Sequence, residues 1–265
     1  MKRFLTAGVL FACAACGALA PKGRLGETMG LLARVEGALP GSRLGPVRGG
    51  VVLADWKDED GLPLHVLAVD LGRKELRFRA ALAHDRLQVR PERLDALARR
   101  HGAFAALSMG HAERGLSVSG LTVIDRRLHL APNPPKRVSI VIGRDNTVAV
   151  GKFHPEVNSD LDYDQALGGL WGLDEPDVEN TLHAAPWSMI CRWNAFNALL
   201  WVYAPQGGSP AETVKRLGCE DAFIAGAGRR AGMVVDGVST ARRGGLSLQP
   251  GRADSALLLR AANGF

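Results

Sequence analysis

The chain has 265 residues, 46% apolar and 23% charged, ordinary values for a globular protein with a sizeable core. Its net charge is +6 and its pI about 9.5, which points to acidic partners. The arginines are dispersed, with pairs at Arg99-Arg100, Arg126-Arg127, Arg229-Arg230 and Arg242-Arg243, and the few aromatics do not interleave with them. That pattern argues against nucleic acid, which needs a stacking platform, and leaves anionic glycans, lipid head groups or phosphate esters.

Export is written into the first residues. Lys2 and Arg3 precede an uncharged run from Phe4 to Ala20, broken by Gly8 and Gly17, which reads as a signal peptide rather than a spanning helix. Pro21 blocks a cut after Ala20, whereas Cys13 and Cys16 each end a lipobox-like stretch. Cys16, preceded by two alanines, is the favoured lipidation site and ordinary secretion the alternative. Lipid there would hold the protein on a membrane surface, in the periplasm or at the cell surface. The expected organisation is a signal over 1–16, a tether or N-terminal segment over 17–50, and one folded domain over 51–265. Outside the signal only Cys191 and Cys219 remain; they could pair in an oxidising compartment or stay as buried thiols. The body has no C-x-x-C pair, so no structural zinc or other metal site is expected.

Within 17–50, rich in glycine, a short helix near Glu27 to Leu39 is the alternative to a tether. Leu64 to Leu71 reads as a buried strand, and Leu76 to Ala80 alternates as a half-exposed antiparallel strand should. Pro91 to His101 reads as a helix with Leu94, Leu97 and Ala98 on one face and Gly102 as its stop. Ala103 to Leu107 is a short strand, and Val138 to Ile142 with Thr147 to Val150 form a hairpin. Ala198 to Tyr203 is another buried strand. Ser209, Pro210 and Glu212 then mark a helix start, and Gly218 its end. Met233 to Val235 and Ala256 to Leu259 complete the strands. Hairpins outnumber crossover helices, so the expected class is α+β: a single domain of mainly antiparallel sheet with a few packed helices.

From Val51 onward this order resembles the phosphodiester glycosidase domain family. The likeness rests on Leu64–Leu71, on Leu97–Leu128, on Gly208–Val235 and on the Ala256–Leu259 run. The resemblance implies a hydrolase of glycosyl phosphodiesters, with no cofactor. It also assigns three site positions, each of which departs from the family pattern. An Asn-Gly-Gly turn is replaced by Ser108-Met109-Gly110-His111. An Arg-Thr pair falls at Ser188-Met189, with Arg192 close but out of register. The catalytic-loop Asp falls at Gly226, followed by Ala227, Gly228, Arg229 and Arg230. A carboxylate is what proton transfer or attack at the anomeric carbon requires. The substitutions therefore imply a protein that binds a sugar phosphate or anionic glycan through His111, Arg192, Arg229 and Arg230 without turnover. The alternatives are a hydrolase with a rearranged site, using Asp125, Asp160 or Asp221, and a structural envelope lipoprotein.

Two other motifs fail on context. Gly226 to Ala231 fits G-x-G-x-x-A, but a strand rather than a helix follows it. Asp160, Asp162 and Asp164 are spaced like the start of a calcium loop. Gln165 and Trp171, however, stand where that loop needs Gly and Glu.

Overall fold

Alternating burial along the strands generates two apolar faces, and the chain satisfies both by stacking sheets and covering them with helices. The computed structural model describes residues 22–87, 90–109, 121–130, 138–153, 163–169, 171–172, 182–236, 238–239 and 252–262. The expected signal with Cys16, the His111 loop and Asp160 lie outside these residues. Among those described, no helix is long and apolar enough to cross a membrane.

A seven-stranded sheet runs in the order Arg43–Arg48, Val51–Lys57, Pro63–Asp70, Ala198–Ala204, Trp187–Trp193, Asp221–Ala227, Trp171–Gly172. A five-stranded sheet runs Val238–Ser239, Met233–Val235, Ala105–Met109, Ser255–Ala261, Leu76–Leu82. A second five-stranded sheet holds the expected hairpin, with Val138–Gly143 and Val148–Lys152 paired and Ile142 opposite Val148. Pairing between these strands is antiparallel, so the sheet-dominated, hairpin-rich reading stands. The strand beginning at Leu76 is antiparallel as expected, but its partner is the distant Ser255–Ala261.

The main core lies between the seven-stranded sheet and the five-stranded sheet containing Ala105–Met109. Leu53, Leu67, Val69, Ile190, Leu199 and Trp201 from the first meet Phe78, Leu107, Met233 and Leu257 from the second. The outer face of the seven-stranded sheet buries Val66, Met189, Leu200 and Val202 beneath helix Lys22–Ala38, whose Leu31 and Val35 lie one helical turn apart. Residues that the sequence left open between helix and tether thus form a helix, and Arg43–Arg48 adds an edge strand. The outer face of the five-stranded sheet buries Ala106, Val234 and Leu258 beneath helix Leu94–Arg100. That helix starts three residues later than Pro91, because Glu92–Arg93 is drawn into pairing with Arg252–Ala253.

Helix Pro210–Leu217 follows its signals closely. The Glu212 N–H donates to Ser209 Oγ at 3.1 Å, Pro210 takes the first turn, and Gly218 closes the helix at φ +65°. Cys219, just beyond, forms a disulfide with Cys191 of the neighbouring strand, with Cα atoms 5.7 Å apart. This decides the pairing that the sequence left open.

Candidate functional site

Ser108, Ser188 and Gly226 converge. Ser188, in Trp187–Trp193, stands directly opposite Gly226, while the next residue, Met189, stands opposite Ile224. Ala225 is therefore an extra residue, a β-bulge, and it turns Gly226 to the same sheet face as Ser188. Ser108 arrives from the other sheet, near the end of Ala105–Met109. Ser108 Oγ and Ser188 Oγ are 3.4 Å apart. A Cβ on Gly226 would lie 3.0 Å from Ser188 Oγ, 3.3 Å from Ser108 Oγ and 3.3 Å from the Arg230 carbonyl. The two sheets meet so closely here that a Cβ would make its neighbours give way by a few tenths of an ångström, and glycine permits the approach.

Both hydroxyls are spoken for. Ser108 Oγ donates to the Gly232 carbonyl at 3.1 Å, and Ser188 Oγ donates to the Ser108 carbonyl at 3.2 Å. Both serines are wholly buried. Neither contacts a base among the described residues, so neither has the activating partner that a serine nucleophile requires.

The loop after Gly226 is a single 3-10 turn, Gly228–Arg230, started by Gly228 at φ +59°. The Gly228 N–H donates to the Pro186 carbonyl at 2.7 Å, which fastens the turn beside Trp187 and Ser188. Arg229 is exposed, while Arg230 folds back so that its Nη1 lies 2.6 Å from Asp254 Oδ2. Asp254 has no exposed side-chain surface and lies just before the strand whose Ala256 faces Ser108. Sequence reasoning passed over it, since one acid ahead of an apolar run carries no signal of its own.

Arg192 is elsewhere. It lies four residues along the strand from Ser188, about 13 Å away at ordinary strand rise. Its guanidinium binds Asn194 Oδ1 at 2.8 Å and Asn197 Oδ1 at 3.1 Å. Asp221, its cross-strand neighbour, shares that remote end. Asp125 sits in the turn between Thr122–Ile124 and Arg127–Leu130 of the second five-stranded sheet, ion-paired with Arg79 at 3.6 Å.

A feature that the sequence did not single out completes the picture. The cross-strand partners of Ser188, followed outward, are Tyr203, His65, Asp55 and Arg43. Cross-strand partners share a face, so one polar row crosses the sheet from Gly226 to Arg43. His65 Nδ1 is 2.7 Å from Asp55 Oδ1, and the His65 and Tyr203 rings are stacked with centroids 6.1 Å apart. Burial pushes the Tyr203 hydroxyl up to about 12, so it remains protonated at neutral pH. The legible signal was His65 itself, a lone histidine in an otherwise apolar strand.

Among the described residues, no group of three His, Cys, Asp or Glu is placed to hold a metal ion. No protein-family model matches the chain, and no curated protein sequence matches it. Solved structures do. A hypothetical protein from Synechocystis aligns over 83% of this chain with a TM-score of 0.67 and 11% identity; the chain spans 64% of that protein's length. An exported-protein candidate from Burkholderia pseudomallei aligns over 89% of this chain and 80% of its own, with a TM-score of 0.53 and 11% identity. The zebrafish N-acetylglucosamine-1-phosphodiester alpha-N-acetylglucosaminidase catalytic domain, auto-inhibited by its pro-peptide, aligns over 83% of this chain and 84% of its own. Its TM-score is 0.60 and its identity 12%. The chain is thus a distant relative in fold of that catalytic domain.

Proposed function

We propose that this is an exported, non-hydrolysing relative of the phosphodiester glycosidases that binds a sugar phosphate or anionic glycan. The observation that carries the reading is the convergence of Ser108, Ser188 and Gly226 into one buried contact without a carboxylate. A positioned acid or base typically supplies about 10²–10⁴-fold in rate. The nearby carboxylate, Asp254, is fully buried against Arg230 and is not presented to a substrate. Arg229, exposed on the turn after Gly226, is the group left to meet an anion at this place, with Arg230 beneath it. Export follows from the charged start and apolar run, with Cys16 as the lipidated first residue and the membrane surface as its support.

The test pairs a chromogenic phosphodiester-glycoside assay with calorimetry using glucosamine 1-phosphate at two salt concentrations. The expected result is no turnover above background, with saturable binding that weakens in salt and on Arg229→Ala. Turnover abolished by Ser188→Ala or Asp254→Asn would overturn the non-hydrolytic reading. Mass spectrometry of the membrane-fraction protein checks the lipid: an unmodified N-terminus beyond Cys16 would remove it.

A further inference from the structure

A recess lies at the opposite end of the polar row. It is a cleft of about 580 Å³ beside the hairpin of Val51–Lys57 and Pro63–Asp70. That volume falls within the range of small-molecule sites, which spans about 300–1,000 Å³. Its walls include Arg43, Asp55, Trp56, Lys57, His65 and Arg216. Three of these are cations and one is an acid, and the acid is already engaged by His65. Arg216 also reaches Glu59 at 3.0 Å and lies over the Trp56 ring at 4.8 Å, so its position is set before any ligand arrives. Asp55 keeps its charge beside a neutral imidazole, so Arg43 and Lys57, both exposed, outnumber it and leave the cleft a single net positive charge.

His65 gives the cleft its polarity. Its side chain is more than nine-tenths buried, yet it lines the cleft. Asp55 is an acceptor when ionised, so the proton of the neutral imidazole sits on Nδ1 and the Nε2 lone pair is left over. Among the described residues Nε2 makes no hydrogen bond. A carboxylate on one ring nitrogen fixes the tautomer and the ring orientation, and leaves the other nitrogen able to meet a ligand. In its neutral form Nε2 accepts from a hydroxyl; once protonated it donates to an anion.

We infer that this cleft is a binding site for a phosphorylated polyol of sugar size. In this site Arg43 and Lys57 hold the phosphate, and His65, positioned by Asp55, meets a hydroxyl. The inference is independent of whether the family positions around Gly226 bind or cleave anything, because the two places share no side chain.

Calorimetry on the purified protein with glucose 6-phosphate, inorganic phosphate and glucose separates the contributions. Glucose 6-phosphate is expected to bind at least tenfold more tightly than phosphate, and glucose not measurably. Arg43→Ala with Lys57→Ala, both on exposed positions, should weaken glucose 6-phosphate by tenfold or more without shifting the urea midpoint. Asp55→Asn should lower the preference for glucose 6-phosphate over phosphate. The Trp56 indole N–H resonance should shift on saturation, and Arg229→Ala should leave this affinity unchanged. No binding of either phosphate, or binding indifferent to Arg43→Ala with Lys57→Ala, would overturn the inference. Binding lost only on Arg229→Ala would place the anion on the Gly226 loop instead.

Discussion

The two ends of the polar row across the seven-stranded sheet have opposite characters. At one end Ser108, Ser188 and Gly226 close on each other, buried, with both hydroxyl protons given to backbone carbonyls. At the other, Asp55 and His65 face a cleft with cations around it. Both lie in one antiparallel sheet, but the Gly226 end carries a bulge and small side chains, whereas the other pairs in regular register and carries ionisable ones. Small, uncharged residues let two sheets meet, and ionisable ones keep solvent or a ligand between them. The lesson is that one row of a sheet can be core at one end and open to a ligand at the other.

The sharpest way to break this comparison is to introduce an acid at Gly226. Gly226→Asp places a carboxylate where a Cβ alone already meets two hydroxyl oxygens and a carbonyl at 3.0–3.3 Å. An uncompensated buried charge costs about 3–5 kcal/mol, so the urea midpoint should fall steeply and phosphodiester hydrolysis should not appear. A well-folded, active Gly226→Asp protein would show that this end is an open site after all.

Nearly as large an effect is expected from the disulfide. Cys191 lies three residues beyond Ser188 and is paired with Cys219, 28 residues along the chain. Closing a loop of that length is worth about 3–4 kcal/mol on the chain-entropy estimate. Replacing both cysteines by serine should lower stability by that order in denaturant melts. Hydrogen exchange should rise first in Trp187–Trp193 and Asp221–Ala227, while Val51–Lys57 and Pro63–Asp70, which carry the cleft, remain protected. Uniform loosening would mean the two ends are not separable.

The smallest effect concerns acid, and it belongs to neither end. At helix Leu94–Arg100, hydrogen bonds from Arg93 hold Asp95 below its ordinary value despite burial. Burial raises Asp85 and Glu92, but Arg100 outweighs it, with His101 helping at Asp85 and the His84 N–H at Glu92. Burial also pushes His101 down from 6.5. All four groups bind protons less readily when folded, so their stability is present at neutral pH and lost on acidification. The loss should begin below about pH 6.5 through His101 and steepen below about 4 as the carboxylates are protonated. Urea midpoints at pH 7.5, 5.5 and 4 measure it. A midpoint rising toward pH 5.5 would contradict the assignment.

Much of this architecture was legible because local chemistry and tertiary context agree. Ser209, Pro210 and Gly218 mark a helix that forms where they say, and Ala198–Ala204 is as buried as its apolar run implies. The Pro91 signal misplaced a helix start because a partner strand from residue 252 onward claims Glu92 and Arg93, a contact no local pattern contains. The family resemblance drew attention to Ser108, Ser188 and Gly226, and these three residues do lie together. Arg192 was drawn in by its nearness in sequence, which in a strand means distance in space. Asp254 and the Asp55–His65–Tyr203 row were hidden for the same reason: each is created by cross-strand register between segments far apart in the chain.

The bulge at Ala225 has a consequence for how such sequences are aligned. Ala225 and Gly226 are consecutive residues opposite the single residue Ser188, and both fall on the side of the main core. A homologue lacking one residue here would keep every flanking side chain on its present face, so a one-residue offset leaves no trace in the alternation of polar and apolar positions. The identity of the residue opposite Ser188 is therefore indifferent to that offset. Whichever of the two a relative aligns to this place, this chain presents an alanine or a glycine there.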